Sequence, residues 1–225
     1  MKKILFVLVL FLSCYIVYFV TEKEEYYYLS LGDGLGKSFC DNSFHTGYDN
    51  MISDYLKNEK KLEKFNNLFV DYSYRITDLI RMIRYNDYAY DVKGEVYINQ
   101  ALKRSDIITL SIGNNELYSR LLMDNGDIFG YIHEMLDDME TLLELINRYN
   151  HKLVFVTGFY NNIKGKEDIV KYVNLELSDM AKNNGFIYVD VSFIGDNLKY
   201  LNDKCIKVED YNKIFQIIVE KIKNS

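Results

Sequence analysis

The chain contains no proline and no tryptophan, and only three histidines and three cysteines among its 225 residues. At average usage a chain of this length would carry roughly eleven prolines. Their absence, beside plentiful Lys, Asn, Ile and 21 Tyr, matches the codon usage of an AT-rich genome. Clustered tyrosines such as Tyr85, Tyr88 and Tyr90 therefore read first as composition and only second as an aromatic sugar-binding platform. Three cysteines, Cys14, Cys40 and Cys205, are too few for a disulfide framework. A surplus of basic charge is also missing. The net charge of −6 excludes a nucleic-acid binder, which needs Lys and Arg to neutralise phosphates. No metal-ligand spacing and no phosphate-cradling glycine loop occurs, so no cofactor is expected.

What is present suits a globular protein. Hydrophobic residues make up 48% and charged residues 27%, enough apolar material for one domain of about 200 residues. The first 25 residues form a separate unit. Lys2 and Lys3 precede an apolar run from Ile4 to Val20, which the polar stretch Thr21-Glu22-Lys23-Glu24-Glu25 ends. That length fits a short spanning helix or a long signal-peptide core. With the lysines on the amino side, the positive-inside rule places the remainder, residues 26–225, outside the cytoplasm. No small-residue cleavage site follows Val20, and the run continues well past Cys14. A single-pass signal anchor in the cell membrane is the expectation, ahead of a cleaved signal peptide or a lipoprotein.

Beyond the anchor, short apolar runs alternate with longer helical patterns, which predicts a parallel sheet covered on both faces. The strands are expected at 26–31, 67–71, 107–112, 153–157 and 187–191. Helices are expected at 49–58, 76–84, 97–104, 128–149, 168–184 and 209–223, the fourth having apolar residues at three- and four-residue spacings. The connections 37–46, 85–95 and 192–208 are left as loops able to hold a site. In such sheets ligands bind at the carboxyl ends of the strands.

Three segments there carry the chemistry. Leu31-Gly32-Asp33-Gly34-Leu35 ends the first strand, Val70-Asp71-Tyr72-Ser73 ends the second, and Ile112-Gly113-Asn114-Asn115-Glu116 ends the third. Together they resemble the first three sequence blocks of the SGNH/GDSL hydrolases, an esterase and lipase family. The resemblance covers 26–223 and implies a three-layer α/β/α sandwich of flavodoxin-like type with a five-stranded parallel sheet. It also places Gly34 where the family has its nucleophilic serine. Ser73 stands in the position of the oxyanion-hole glycine. Gly113 and Asn115 match the Gly-x-Asn block, whose amide helps stabilise the oxyanion, and Glu116 replaces the usual Asp.

The family's last block ends in Asp-x-x-His before the final helix. Asn202-Asp203-Lys204-Cys205 takes that place, six residues ahead of Tyr211. Cys205 thus stands where the histidine would be, and the Asp position falls on Asp203 or Asn202. No histidine follows His151, whereas Ser-His chemistry needs an imidazole to take and return a proton. His133 and His151 read as surface or helix-end residues, and His45 lies in the loop after the first block.

The expected protein is a membrane-anchored, extracytoplasmic SGNH-like domain, degenerate in catalysis, that binds an envelope glycan or acyl lipid or scaffolds a partner. The alternative is an active esterase with displaced machinery, in which Cys205 or Cys40 is the nucleophile and His45 the base. A Cys40–Cys205 disulfide across the former cleft is a third reading, set against two unrelated thiols.

Overall fold

The computed structural model describes residues 25–37, 47–123, 126–161, 163–194 and 206–225. Five parallel strands form its centre: β1 (Tyr26–Gly32), β2 (Leu62–Val70), β5 (Ile107–Ser111), β6 (Leu153–Thr157) and β7 (Ile187–Val189). Their order across the sheet is β2-β1-β5-β6-β7. The chain therefore reverses its winding direction between β1 and β5, which opens a crevice at their carboxyl ends.

Around the sheet lie α1 (Tyr48–Asn58), α2 (Ile76–Tyr85), α3 (Ile98–Arg104), α4 (Asn114–Met123), α5 (Ile128–Tyr149), α6 (Glu167–Asn183) and α7 (Val208–Lys223). Strand alternation sorts the core into two layers. Tyr27, Leu29 and Leu31 of β1 join Ile108 and Leu110 of β5 beneath α2, α3, α5 and α6. Tyr28 and Ile107 point the other way, into a smaller cluster closed by α1 and α7. Helix α5 forms over the expected residues because Ile132, Met135, Leu136, Met139, Leu142, Leu143 and Ile146 make one buried stripe along it.

The α/β/α sandwich with a five-stranded parallel sheet is thus as expected, and three local readings are corrected. The second strand begins at Leu62, not at Asn67. Its first half, Leu62-Glu63-Lys64-Phe65-Asn66, is largely polar, as an edge strand can be, since one side of it needs no partner strand. Part of the presumed loop 85–95 is an antiparallel hairpin, β3 (Tyr88–Asp91) with β4 (Gly94–Tyr97). The helix α4 was not anticipated because it buries only Asn114, Leu117 and Leu121, too narrow a stripe to stand out. The expected anchor lies outside the described residues, except for Glu25 at its end. Among those described, no helix is long and apolar enough to cross a membrane.

Candidate active site

The carboxyl ends of β1, β2 and β5 are stitched together by the first block. Gly32 pairs with both Val70 and Ser111 in the strand registers. Its φ is +119°, and a Cβ there would lie 1.7 Å from the Ser111 carbonyl oxygen, so only glycine fits. Next, the Asp33 N–H donates to Ser111 O at 2.7 Å, and the Asp71 N–H donates to Gly32 O at 3.0 Å. The Asp33 carboxylate accepts from the backbone N–H of Asn114 at 3.2 Å and of Leu35 at 3.4 Å. Block one is thereby locked to block three.

Asp33 is 3% exposed. Burial raises its pKa from 3.8 to about 7, against the opposing bonds from Leu35, Asn114 and Ser111. A second acid, Asp49 in the first turn of α1, is fully buried and is likewise pushed up to about 7 by desolvation. Between and around them Ser30, Thr109 and Ser111 are buried on the α1 side of the sheet, with Tyr28 Oη and Thr109 Oγ1 2.9 Å apart. A polar seam therefore runs under the cleft. Burial also raises the pKa of Tyr160, with Asp33, Tyr211, Tyr72 and Tyr118 near enough to raise it further.

The block positions themselves are assembled but not free. Gly34 is buried with φ at +90°, the left-handed region that favours glycine. The Ser73 N–H, the expected oxyanion donor, gives its hydrogen bond to Asp71 Oδ1 at 2.8 Å, and the Ser73 hydroxyl bonds the same oxygen at 2.6 Å. These bonds hold the Asp71 carboxyl below its usual pKa. Asn115 Nδ2 donates to the Tyr72 carbonyl at 3.0 Å. The Ser73 N–H and one of the two Asn115 amide hydrogens, both expected to face a substrate oxygen, are thus engaged within the second block. A negative oxygen placed at Ser73 N would meet the Asp71 carboxylate.

Glu116 takes a structural position in this arrangement. Its Oε2 accepts from the Ile76 N–H at 3.0 Å, at the first turn of α2, and burial raises its pKa. Gly113 has φ +92° and leaves room for Ile76 and Phe159, each 3.1 Å from where its Cβ would be. The neighbouring Asn114 is more buried than Asn115, and its Oδ1 accepts from Tyr160 N at 3.3 Å. Cys40, His45, Asn202, Asp203 and Cys205 lie outside the described residues. The other two histidines are where sequence placed them, His133 exposed on α5 and His151 bonded through Nδ1 to Asn147 Oδ1 at 2.9 Å.

Sequence reasoning gave no role to Asp33 and Asp71, although both lie in the first two blocks, and missed Asp49. Asp33 and Asp71 each accept from the N–H two residues on, the local pattern of an Asx turn, whereas Asp49 had no such signal.

Comparison with known proteins places this geometry in a fold family. No protein-family model and no curated protein sequence matches the chain. Solved structures do. Similar ones include Axe2, an acetylxylan esterase from Geobacillus stearothermophilus, with 15% identity, TM-score 0.64, and coverage of 90% of this chain and 96% of that one. The extracellular lipase of Streptomyces rimosus matches at 13% identity and TM-score 0.63, covering 87% of this chain and 99% of the lipase. TesA matches at 10% identity and TM-score 0.60, covering 88% and 98%. These structural neighbours are SGNH/GDSL-type hydrolases, and the chain has the SGNH-hydrolase fold.

Proposed function

We propose that this chain is a catalytically silent SGNH-type domain, held at the cell membrane by its N-terminal apolar segment and exposed outside the cytoplasm. In this reading it binds an envelope ligand, an acetylated glycan or an acyl lipid, or scaffolds a partner, and does not hydrolyse it. The observation that carries the reading is the state of the second block. Asp71 takes the Ser73 N–H, and Tyr72 O takes the Asn115 amide. Stabilising an oxyanion at Ser73 would require breaking its bond to Asp71, and the Asn115 amide keeps only one of its two hydrogens for the purpose; preorganised donors are usually the largest single term in acyl transfer. Gly34, without a side chain, offers no atom to acylate.

The test uses the full chain in detergent micelles, with p-nitrophenyl acetate and acetylated xylo-oligosaccharides as substrates. Turnover is expected at the buffer rate and unchanged in Asn115→Ala. Turnover above that rate which Asn115→Ala abolishes would overturn the proposal. Turnover insensitive to Asn115→Ala but lost after alkylation of the thiols would overturn it in favour of an esterase built on Cys205 or Cys40 with His45. For the location, external protease acting on intact cells is expected to degrade the domain. Protection until the cells are lysed would refute an outside position.

A further inference from the structure

The β3–β4 hairpin connects the end of α2 to the start of α3 and is tied by Asp91 to Lys64 in the amino-terminal half of β2, the end of the strand opposite the cleft. Its register pairs Tyr88 with Tyr97, Ala89 with Val96, and Tyr90 with Glu95. Alternation then splits the ribbon into two faces. Ala89 and Val96 pack against the larger core cluster. Tyr88, Tyr90, Glu95 and Tyr97 share the opposite face, where Tyr88 is 49% and Tyr90 66% exposed.

On that face the Tyr88 and Tyr90 rings stand 5.4 Å apart at 89°, and the Tyr88 and Tyr97 rings 5.5 Å apart at 51°. Rings set at such angles do not make the flat platform a polysaccharide would lie along. Two of their hydroxyls meet instead at Glu95: Tyr97 donates to Oε2 at 2.7 Å and Tyr90 to Oε1 at 3.4 Å. The other hairpin acid, Asp91, is neutralised by Lys64 Nζ at 2.8 Å, whereas no ion pair involves Glu95 among the described residues. A carboxylate without an ion-pair partner, set beside exposed electron-rich rings, is complementary to a cation.

The same fold shows what completes such a set. Arg104 sits with Cζ 5.1 Å from the Tyr27 ring centroid while its Nη2 bonds Glu63 Oε1 at 2.8 Å. A guanidinium stacks on an aromatic face and forks onto a carboxylate at once, which an ammonium does less well. The hairpin presents the tyrosines and the glutamate without the arginine. From this we infer that the outer face of the hairpin is a docking site for an arginine-bearing basic segment of a partner protein. It acts independently of the cleft.

The probe is penta-arginine, titrated into the full chain in detergent micelles by calorimetry at low salt, with penta-lysine and xylohexaose alongside. Penta-arginine is expected to bind at least tenfold tighter than penta-lysine, and added salt should weaken it. Glu95→Gln and Tyr90→Ala should each weaken penta-arginine at least tenfold. Glu220→Gln, which removes one exposed charge on α7, should change it less than twofold. Circular dichroism confirms that each variant folds, and both hairpin positions are exposed. Equal weakening by Glu95→Gln and Glu220→Gln would overturn the inference, reducing binding to general acidity. So would absence of binding, or xylohexaose binding that Tyr90→Ala removes.

Discussion

Asp33 makes the protein's stability depend on pH in a direction opposite to that of most paired carboxylates. Its pKa rises from 3.8 to about 7 on folding because the carboxyl is buried. Between those values the native state holds a proton that the unfolded chain has released. Stability therefore falls as pH rises, by about 1.4 kcal/mol per pH unit while both limits are well separated. From pH 5 to pH 8 one such acid removes about 2.5 kcal/mol. Asp49 has the same limits and the same cause, so the pair together removes about 5 kcal/mol. That is comparable with the whole stability of a weak domain. Glu116 and Asp138, both raised by burial, act in the same direction. Asp71, depressed by Ser73, contributes stability that is already complete above its unfolded pKa and leaves this window unchanged. Urea unfolding at pH 5, 6, 7 and 8 reads the slope directly. Asp33→Asn keeps an oxygen for the Asn114 N–H but cannot ionise, so it should remove about half of the decline. Stability that is flat or rising from pH 5 to 8, or an Asp33→Asn variant with an unchanged slope, would refute the reasoning.

Other perturbations have equally definite outcomes. Gly32→Ala puts a Cβ 1.7 Å from Ser111 O at a φ of +119°, and should cost more than about 3 kcal/mol in denaturant unfolding. Gly34→Ser supplies the missing hydroxyl at a φ of +90°. It should cost about 1–2 kcal/mol and give no ester turnover, since the Ser73 N–H stays bonded to Asp71 and no histidine follows His151 to take the proton. Asn150→Ala removes an amide that donates to Leu102 O and Ser105 O at 2.6 Å each and an oxygen that accepts from Lys152 N. With two buried carbonyls losing a donor, a loss of about 2–4 kcal/mol is expected in the same assay.

Much of the fold was legible because its signals are local. Helix α5 carries its stripe in the order of residues, and β5 and β6 are five-residue apolar runs rich in β-branched residues, the pattern of buried strands. The hairpin was not legible, since its two-residue turn is Val92-Lys93 and lacks the Asn-Gly or Asp-Gly signal. The turn is held instead by Asp91 Oδ1, which accepts from Lys93 N at 2.6 Å, and by Gly94 at φ +120°. The start of β2 was hidden for a different reason. Glu63 and Lys64 look like loop residues until Arg104 and Asp91 pair with them.

The candidate site divides along the same line. The residue types at Gly34, Ser73 and Asn115, and the lack of any histidine after His151, are properties of the sequence and hold in any conformation. They were enough to show the resemblance to the SGNH hydrolases and to motivate the proposal that this chain lacks their chemistry. Whether a donor is free or occupied is not such a property. Asn115 reaches the carbonyl of Tyr72, 43 positions away in the chain, and Asp33 meets Asn114 across 81. Those bonds, and the burial that drives Asp33 toward neutrality, exist only once β1, β2 and β5 lie side by side. Residue identity sets which groups can ionise or donate, while desolvation and hydrogen-bond partners come from neighbours that the chain brings together only by folding.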